Sequence, residues 1–210
     1  MVSTLSKPDY NGVKNEAFKV LGTLDPVLYP FHHRGHTFND VLPAIEILAK
    51  KLGIYGEDLL ILRTGGVLHD IGFTVKYWDN EPEGVDIANQ MLPRLGYSSG
   101  LVEAVDGIIT ATSVPQRPKT PLQKAMCDAD LFGLGTDDFW VSGDNLLRER
   151  IMHKDEIPFG LRPPKTWKEW YKEQLKFLER HHYHTQAARD LRNKGKMLNI
   201  RKLEVLLSRM

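Results

Sequence analysis

The sequence has little of what marks an exported or membrane-bound protein. It contains one cysteine, Cys127, among 210 residues, and a lone cysteine cannot form a disulfide within the chain. No stretch of about 18 consecutive apolar residues is present, so no segment predicts a transmembrane helix. The first thirty residues carry acidic side chains and no continuous apolar run, unlike a signal or transit peptide. We therefore expect a cytoplasmic protein that does not bind membranes.

The sequence also lacks an excess of positive or negative charge. Lysine and arginine number 28 against 27 aspartates and glutamates, and this balance argues against general nucleic-acid binding. Hydrophobic residues make up 41 % of the chain, which is too apolar for a disordered protein. The basic run from Arg189 to Lys202 alternates with leucines and is typical of a solvated amphipathic helix rather than an RNA-binding tail. That helix could pack on its own core or on a second subunit, which leaves a homodimer open.

Alternation of apolar and polar residues, the mark of a β-strand, is nearly absent. Apolar residues instead recur at helical spacing, as they do in residues 41–52. The pattern predicts an all-α fold. It divides into an N-terminal helix within residues 1–25, a helical core over residues 26–135 and a C-terminal helical extension over residues 136–210.

The run over residues 57–71, EDLLILRTGGVLHDI, is apolar on most faces and predicts a central buried helix that Gly72 ends. Two glycines, Gly65 and Gly66, lower its helix propensity, which predicts that they allow close backbone packing. The run finishes in His69-Asp70. Burying an unpaired aspartate there would cost several kcal/mol, so the pair needs a partner such as a metal ion.

Three sites place metal-capable side chains beside turns or helix ends. They are His32-His33-Arg34-Gly35-His36, His69-Asp70 and Asp128-Ala129-Asp130. Histidine and aspartate are the ligands that borderline and hard divalent cations take in proteins, so together the three sites point to one metal centre.

In this order the three sites resemble the H…HD…D signature of the HD-domain superfamily of metal-dependent phosphohydrolases. The stretch YPFHHRGHTFNDVL is similar to the opening Y-H-x-x-x-H-x-x-x-V motif of that superfamily, GGVLHDIG to its central HD motif, and AMCDADLFGLG to its closing A-D-L helix. The loop DNEPEGVDIA also resembles the N-E-x-x-S-x-x-A stretch of a group of predicted metal-dependent phosphohydrolases within it. The likeness covers roughly residues 29–135 and implies an HD-domain helical bundle.

The resemblance implies that His36, His69, Asp70 and Asp130 bind one divalent metal ion. Such a ligand set leaves two octahedral positions free, which suits Mn²⁺, Mg²⁺, Fe²⁺ or Co²⁺ and does not exclude Zn²⁺. Members with two metals carry further histidines between the HD pair and the last aspartate; this chain has none there, which also argues against a diiron oxygenase. Asp130 is assigned by its match to the A-D-L motif. Asp128 is then either an orienter of the ligands or a surface charge.

The opening cluster supplies candidates for acid catalysis and substrate binding. His32 matches the position from which a histidine protonates the leaving oxygen in the cyclic-nucleotide phosphodiesterases of the superfamily. His33 stands where those enzymes usually have asparagine, so the acid could be either neighbour, and otherwise His33 is expected to contact substrate. Arg34 adds a forked cation suited to phosphate oxygens, although a solvated loop arginine explains it nearly as well.

The segment after the predicted central helix supplies further candidates. Glu81 is the best remaining carboxylate for orienting or deprotonating the attacking water, because the related group shares its Asn-Glu pair; the alternative is a favourable charge at a helix N-terminus. Lys76 and Trp78 would suit the phosphate and the base of a nucleotide, while Trp78 could equally cover the core. Thr110 or Thr112 stands where many relatives place a further histidine, and could hold substrate or water.

The resemblance therefore implies a phosphohydrolase or phosphodiesterase that cleaves a small-molecule phosphate ester, a nucleotide in the first instance, with sugar phosphates and other esters left open. The metal activates the attacking water and an imidazole protonates the leaving oxygen. The alternatives are a non-catalytic metal-binding signalling or scaffold module of the same fold and a metal enzyme of another reaction type. His181, His182 and His184 are spaced like metal ligands. Cationic side chains beside the carbonyl groups at the end of a helix explain them as well.

Overall fold

A computed structural model describes residues 7–210, so the first six residues of the predicted N-terminal segment lie outside the described residues. Within residues 7–210 every regular element is helical, which confirms the all-α class. The α-helices are α1 (Tyr10–Leu21), α2 (Leu42–Leu52), α3 (Gly56–Leu68), α4 (Glu81–Met91), α5 (Ser99–Ala111), α6 (Pro121–Asp130), α7 (Phe139–Met152), α8 (Trp167–Arg180) and α9 (Gln186–Ser208). None of these helices combines the length and the apolar character that crossing a membrane would require.

Side-chain caps set several of the helix starts. Thr120 before α6 and Thr166 before α8 each form a capping box, in which the threonine oxygen and a side chain three residues on satisfy each other's backbone N–H groups. The hydroxyl oxygens of Ser98 and Thr185 each accept one backbone N–H group at the starts of α5 and α9. These polar residues satisfy backbone donors that the first helical turn leaves free.

Helix α3 lies at the centre and contacts α1, α2, α5 and α6. The prediction that its two glycines allow close packing is confirmed. A Cβ atom on Gly65 would overlap Ile108 of α5, and a Cβ atom on Gly66 would overlap Ile45 of α2. Because neither position carries a side chain, α2 and α5 both approach the α3 backbone closely.

The predicted end of this central helix is wrong. Helix α3 ends at Leu68, and the chain then makes a turn through His69 and Asp70 before a short 3₁₀ segment over Ile71–Thr74. The turn changes the direction of the chain, so His69 and Asp70 stand at the end of α3 rather than along it.

Gly72 does not end α3 but lies at a chain crossing. A Cβ atom there would overlap the carbonyl oxygen of Asn80 and come close to the nitrogen of Gly84. The crossing needs glycine, and it packs the start of α4 against the turn after α3. Helix α4 accordingly begins at Glu81.

The C-terminal extension shares the core of the chain. Helix α9 packs on the 3₁₀ turn Phe132–Gly135 after α6 and also contacts α2. A Cβ atom on Gly195 would overlap the carbonyl of Gly135, so the two segments cross at backbone contact. Tyr183 and Ala188 are buried with the residues of α2, α3 and α6. The tail therefore packs on its own core, which was one of the two packings that its pattern allowed.

Candidate metal centre

The four predicted metal ligands converge where three helices meet. His36 begins a π-helical turn, His36–Val41, that runs directly into α2. His69 and Asp70 form the turn at the end of α3, and Asp130 is the last residue of α6. Because α2, α3 and α6 pack against one another, the ends of these elements bring all four side chains to one place.

The ligand atoms are spaced as a single ion requires. Asp130 Oδ1 lies 3.3 Å from His36 Nε2 and 3.5 Å from His69 Nε2. Asp70 Oδ2 lies 3.1 Å from His69 Nε2 and 3.8 Å from His36 Nε2. Atoms that bind one small divalent cation at about 2.1 Å lie roughly 3 to 4 Å apart. His36, His69 and Asp130 therefore lie close enough together to hold one cation, and Asp70 stands beside the two histidines.

Two of these atoms are buried with their hydrogen bonding unsatisfied. Neither His69 Nε2 nor Asp70 Oδ2 has a hydrogen-bond partner within residues 7–210. His69 Nδ1 donates to the Gly66 carbonyl at 2.9 Å, which fixes the ring and turns Nε2 toward the carboxylates. Unsatisfied buried polar atoms are rare in proteins, so the pair is consistent with a site that takes a cation.

When no cation is bound, the protonated histidines attract the two carboxylates. Burial alone would lower the pKa of His36, but hydrogen bonds to Asp130 and Asp40 raise it to about 9. Burial would likewise lower the pKa of His69, but the charge of Asp70 raises it well above its usual value. The pKa values of Asp70 and Asp130 are lowered, because the neighbouring histidines outweigh the effect of burial. A divalent cation would displace these protons and satisfy the same carboxylates.

His32 lies beside the centre and is paired with a carboxylate that the sequence did not reveal. Its Nδ1 atom hydrogen-bonds Oε1 of Glu149, a fully buried residue of α7. The other oxygen, Oε2, accepts the backbone N–H groups of Phe31 and His32 at 2.8 Å each. The His32 ring stacks on Phe73, and its centroid lies 6.2 Å from that of His36. The pair is thus held rigidly next to the four ligands.

This pairing also sets the charge of His32. Burial alone would lower the pKa of His32, but the charge of Glu149 raises it above the ordinary value. The pKa of Glu149 is lowered in return, since the charge of His32 outweighs burial. Glu149 is 117 residues from His32 and belongs to no motif in the sequence, so only the tertiary contact identifies it.

The two residues after His32 point to different partners. His33 Nδ1 accepts the N–H group of Gly35 at 2.8 Å, so its ring folds back on its own turn. Burial lowers the pKa of His33, which favours the neutral ring. The guanidinium of Arg34 lies 4.7 Å above the ring of Phe18 in α1. Neither contact places these side chains with the four ligands, and their assignment to substrate stays a prediction.

Glu81 lies near the centre, whereas Lys76 and Trp78 lie on the surface. Burial raises the pKa of Glu81 and the charge of Asp70 raises it further, while a hydrogen bond to Ser113 works against both. Glu81 is also the first residue of α4, as expected for a charge at a helix N-terminus, and its role toward the attacking water stays a prediction. Lys76 Nζ pairs with two acidic side chains, Asp79 at 3.5 Å and Glu83 at 3.3 Å. Trp78 keeps 40 % of its exposure, so it does not simply cover the core.

Asp128 is not a surface charge. It is fully buried and accepts the N–H groups of His184 and Thr185 at 2.7 and 2.8 Å, together with the Thr185 hydroxyl at 2.6 Å. All three contacts lie at the start of α9 and none reaches the metal ligands. Asp128 therefore fastens α9 to α6.

The remaining candidates lie outside the site. The hydroxyl of Thr112 donates to the Ile109 carbonyl within its own helix, and Thr110 is exposed. Cys127 is buried, and its thiol donates to the carbonyl of Ala111. In the part of the chain that the structure describes, no group of metal-capable side chains includes the C-terminal histidines, His181, His182 and His184.

Gln116 is a second residue that the sequence did not reveal. It lies in the loop between α5 and α6, and its Nε2 donates to Asp130 Oδ2 at 3.2 Å. No motif surrounds it, and only its contact with Asp130 marks it.

No protein-family model, no curated protein and no solved structure matches the chain. Functional inference therefore depends on the chain's own residues.

Proposed function

We propose that the protein is a metal-dependent phosphohydrolase or phosphodiesterase of HD-domain type, acting on a phosphate ester and in the first instance on a nucleotide. The observation that carries this proposal is the convergence of two buried imidazoles and two carboxylates, in which His69 Nε2 and Asp70 Oδ2 have no hydrogen-bond partner among the described residues. The order of these residues along the chain, and the helix ends that carry them, agree with the resemblance to the HD-domain superfamily.

The residues His36, His69, Asp70 and Asp130 would hold one ion, with Mn²⁺, Mg²⁺, Fe²⁺ and Co²⁺ favoured and Zn²⁺ a further candidate. When bound, such an ion lowers the pKa of water and neutralises charge on a phosphate oxygen.

His32 is suited to protonate the leaving oxygen. Its Nδ1 faces Glu149, so the proton available for transfer sits on Nε2. Glu149 fixes the orientation of the ring and raises the pKa of His32, which favours the protonated form that an acid needs. A positioned acid of this kind typically contributes about 10²- to 10⁴-fold to a rate.

Glu81 is suited to take a proton from the attacking water, because burial keeps its pKa above that of an exposed carboxylate. The predicted phosphate-binding cations have other partners: Arg34 stacks on Phe18 and Lys76 pairs with acidic side chains. Each would have to leave its partner to reach a phosphate. The exposed indole of Trp78 remains available to stack on a base.

The decisive experiment is product analysis with the full chain after its metal has been exchanged for Mn²⁺. The panel contains nucleoside mono-, di- and triphosphates, cyclic nucleotides and sugar phosphates. The wild type is compared with Asp70→Asn and with Asp58→Asn, a control on the exposed surface of α3.

We expect one class of ester to be hydrolysed by the wild type and by Asp58→Asn, and Asp70→Asn to lose both its Mn²⁺ and its turnover. Full metal occupancy and full activity in Asp70→Asn would refute the assignment. A wild type that holds one Mn²⁺ tightly yet hydrolyses nothing would favour the non-catalytic module.

A further inference from the structure

Gln116 divides the two oxygens of Asp130 between different partners. Its Nε2 donates to Asp130 Oδ2 at 3.2 Å. The other oxygen, Oδ1, is the atom that lies within 3.5 Å of both His36 Nε2 and His69 Nε2. The carboxylate therefore presents a single oxygen to the metal centre while Gln116 holds the other.

The chemistry of the amide fixes its orientation. An ionised carboxylate oxygen can only accept, so the NH₂ group of Gln116 must face Asp130 and the carbonyl oxygen must face elsewhere. That carbonyl oxygen, Oε1, is buried and has no hydrogen-bond partner within residues 7–210. A buried acceptor is rarely left unpaired in a native protein, so Oε1 marks the place of a donor that the chain itself does not supply.

The loop that carries Gln116 contacts the site at a second point. The Ser113 side chain lies close enough to Glu81, the first residue of α4, to affect the pKa of that carboxyl. The loop over residues 113–116 therefore runs beside the candidate base as well as beside Asp130.

We infer that Gln116 is a positioning residue with two tasks. Its amide nitrogen holds Asp130 so that one oxygen alone faces the metal, and its carbonyl oxygen accepts a hydrogen bond from the water that attacks phosphorus. The second task rests on the proposed function. The oxygens of a phosphate ester are acceptors and cannot pair with Oε1, whereas water is the donor that hydrolysis must bring to this place. Gln116 takes no proton from the water, and Glu81 remains the base.

The test uses Gln116→Met, which keeps the length and shape of the side chain but can neither donate strongly nor accept. The matched control is Gln90→Met, on the exposed face of α4. Two quantities are measured on the full chain: the Kd for Mn²⁺, from the electron paramagnetic resonance signal of the free ion, and kcat and KM at saturating Mn²⁺. Thermal unfolding verifies that both variants are folded.

We expect Gln116→Met to weaken Mn²⁺ binding about 10- to 100-fold, as is usual when a residue that orients a ligand is removed. At saturating Mn²⁺ it should lower kcat while leaving KM unchanged, because the water is affected and the substrate is not. The control should match the wild type in both measurements.

Unchanged Kd and unchanged kcat in Gln116→Met would overturn the whole inference while leaving the proposed function intact. Weaker Mn²⁺ binding with an unchanged kcat would overturn the task assigned to Oε1. A wild type without any hydrolytic activity would overturn the proposed function and the task of Oε1 together, whereas weaker Mn²⁺ binding would still support the role at Asp130.

Discussion

At the metal centre, buried atoms of His69 and Asp70 lack hydrogen-bond partners among the described residues, while at the adjoining junction with α7 the buried carboxylate of Glu149 is fully used. Both Glu149 oxygens accept hydrogen bonds, one from His32 and one from two backbone N–H groups. The difference separates a place with unused ligand atoms, where we propose that a cation binds, from a place that the chain completes by itself. In that proposal the centre binds the cation and the junction orients His32.

The junction extends beyond Glu149 to a second satisfied histidine. At the end of α7, His153 faces the Glu156 carboxylate through Nδ1 and the Leu28 carbonyl through Nε2, at 2.6 and 3.2 Å. The His153 ring also stacks on Tyr77 with centroids 4.2 Å apart. Helix α7, which belongs to the predicted extension, is therefore tied to the segments on both sides of the metal centre. The extension contributes to the site and not only to the core.

The largest expected effect comes from breaking the junction while sparing the centre. In Glu149→Gln the backbone contacts can persist, but the negative charge beside His32 is lost. We expect kcat to fall about 100-fold at neutral pH, because the acid is no longer stabilised in its charged form. The pH above which activity declines should also move lower, since Glu149 raises the pKa of His32. Mn²⁺ affinity should stay unchanged.

This prediction is checked by kcat measured against pH together with Mn²⁺ titration, with Glu179→Gln on the exposed face of α8 as the control. If Glu149→Gln kept the wild-type pH profile, His32 would not be the acid and its neighbour His33 would be the next candidate. If the variant lost Mn²⁺, Glu149 would support metal binding as well as His32, and the two roles could not be tested separately.

A second, smaller effect concerns the other contact between the extension and the core. Asp128→Ala removes three hydrogen bonds at the start of α9 and leaves buried N–H groups without an acceptor. We expect the free energy of unfolding to fall by about 2 kcal/mol. Denaturant unfolding measures the loss. The Mn²⁺ affinity, measured without denaturant where both proteins are folded, should match the wild type.

The control for this change is Asp137→Ala, because Asp137 is exposed and makes only a surface pair with Lys202. Its effect should lie within about 0.5 kcal/mol. A drop in Mn²⁺ affinity in Asp128→Ala would contradict the structure, in which Asp128 contacts α9 alone, and would revive the interpretation that it orients the ligands.

The meeting of the four proposed ligands and His32 could be predicted from the sequence because each lies in a short motif that resembles one of the HD-domain superfamily. His69 and Asp70 follow an apolar run, and Asp130 ends another, and the structure places them at helix ends. The two glycines of α3 were predictable from the local sequence as well. A local pattern carries this information because helix periodicity and backbone punctuation act over only a few residues.

Partners that meet only in the folded chain could not be predicted. Glu149 lies in a segment that looks like an ordinary amphipathic helix, and Gln116 lies in a proline-rich loop with no motif. Asp128 lies two residues before Asp130 in the same helix, yet its side chain is turned toward α9. The direction of a side chain at the end of a helix depends on tertiary packing, which spacing along the chain does not encode.

The last test sharpens the comparison from the side of the metal centre and depends on pH. In the metal-free protein the folded-state pKa of His36, raised to about 9, and that of His69 both exceed the unfolded value of about 6.5. Their contribution to stability is therefore complete below about pH 6.5 and is lost as the pH rises through about 9. Each pH unit in this window should remove up to about 1.4 kcal/mol per proton. The protein with Mn²⁺ bound should not show this loss, because the cation takes the place of the protons.

Urea unfolding at several pH values, with chelator and with Mn²⁺, measures the difference, and His182→Asn at an exposed histidine should not alter it. A metal-free protein whose stability is flat between pH 6.5 and 9 would mean that protons do not hold the four ligands together, and the contrast between an incomplete centre and a complete junction would fail at its first step.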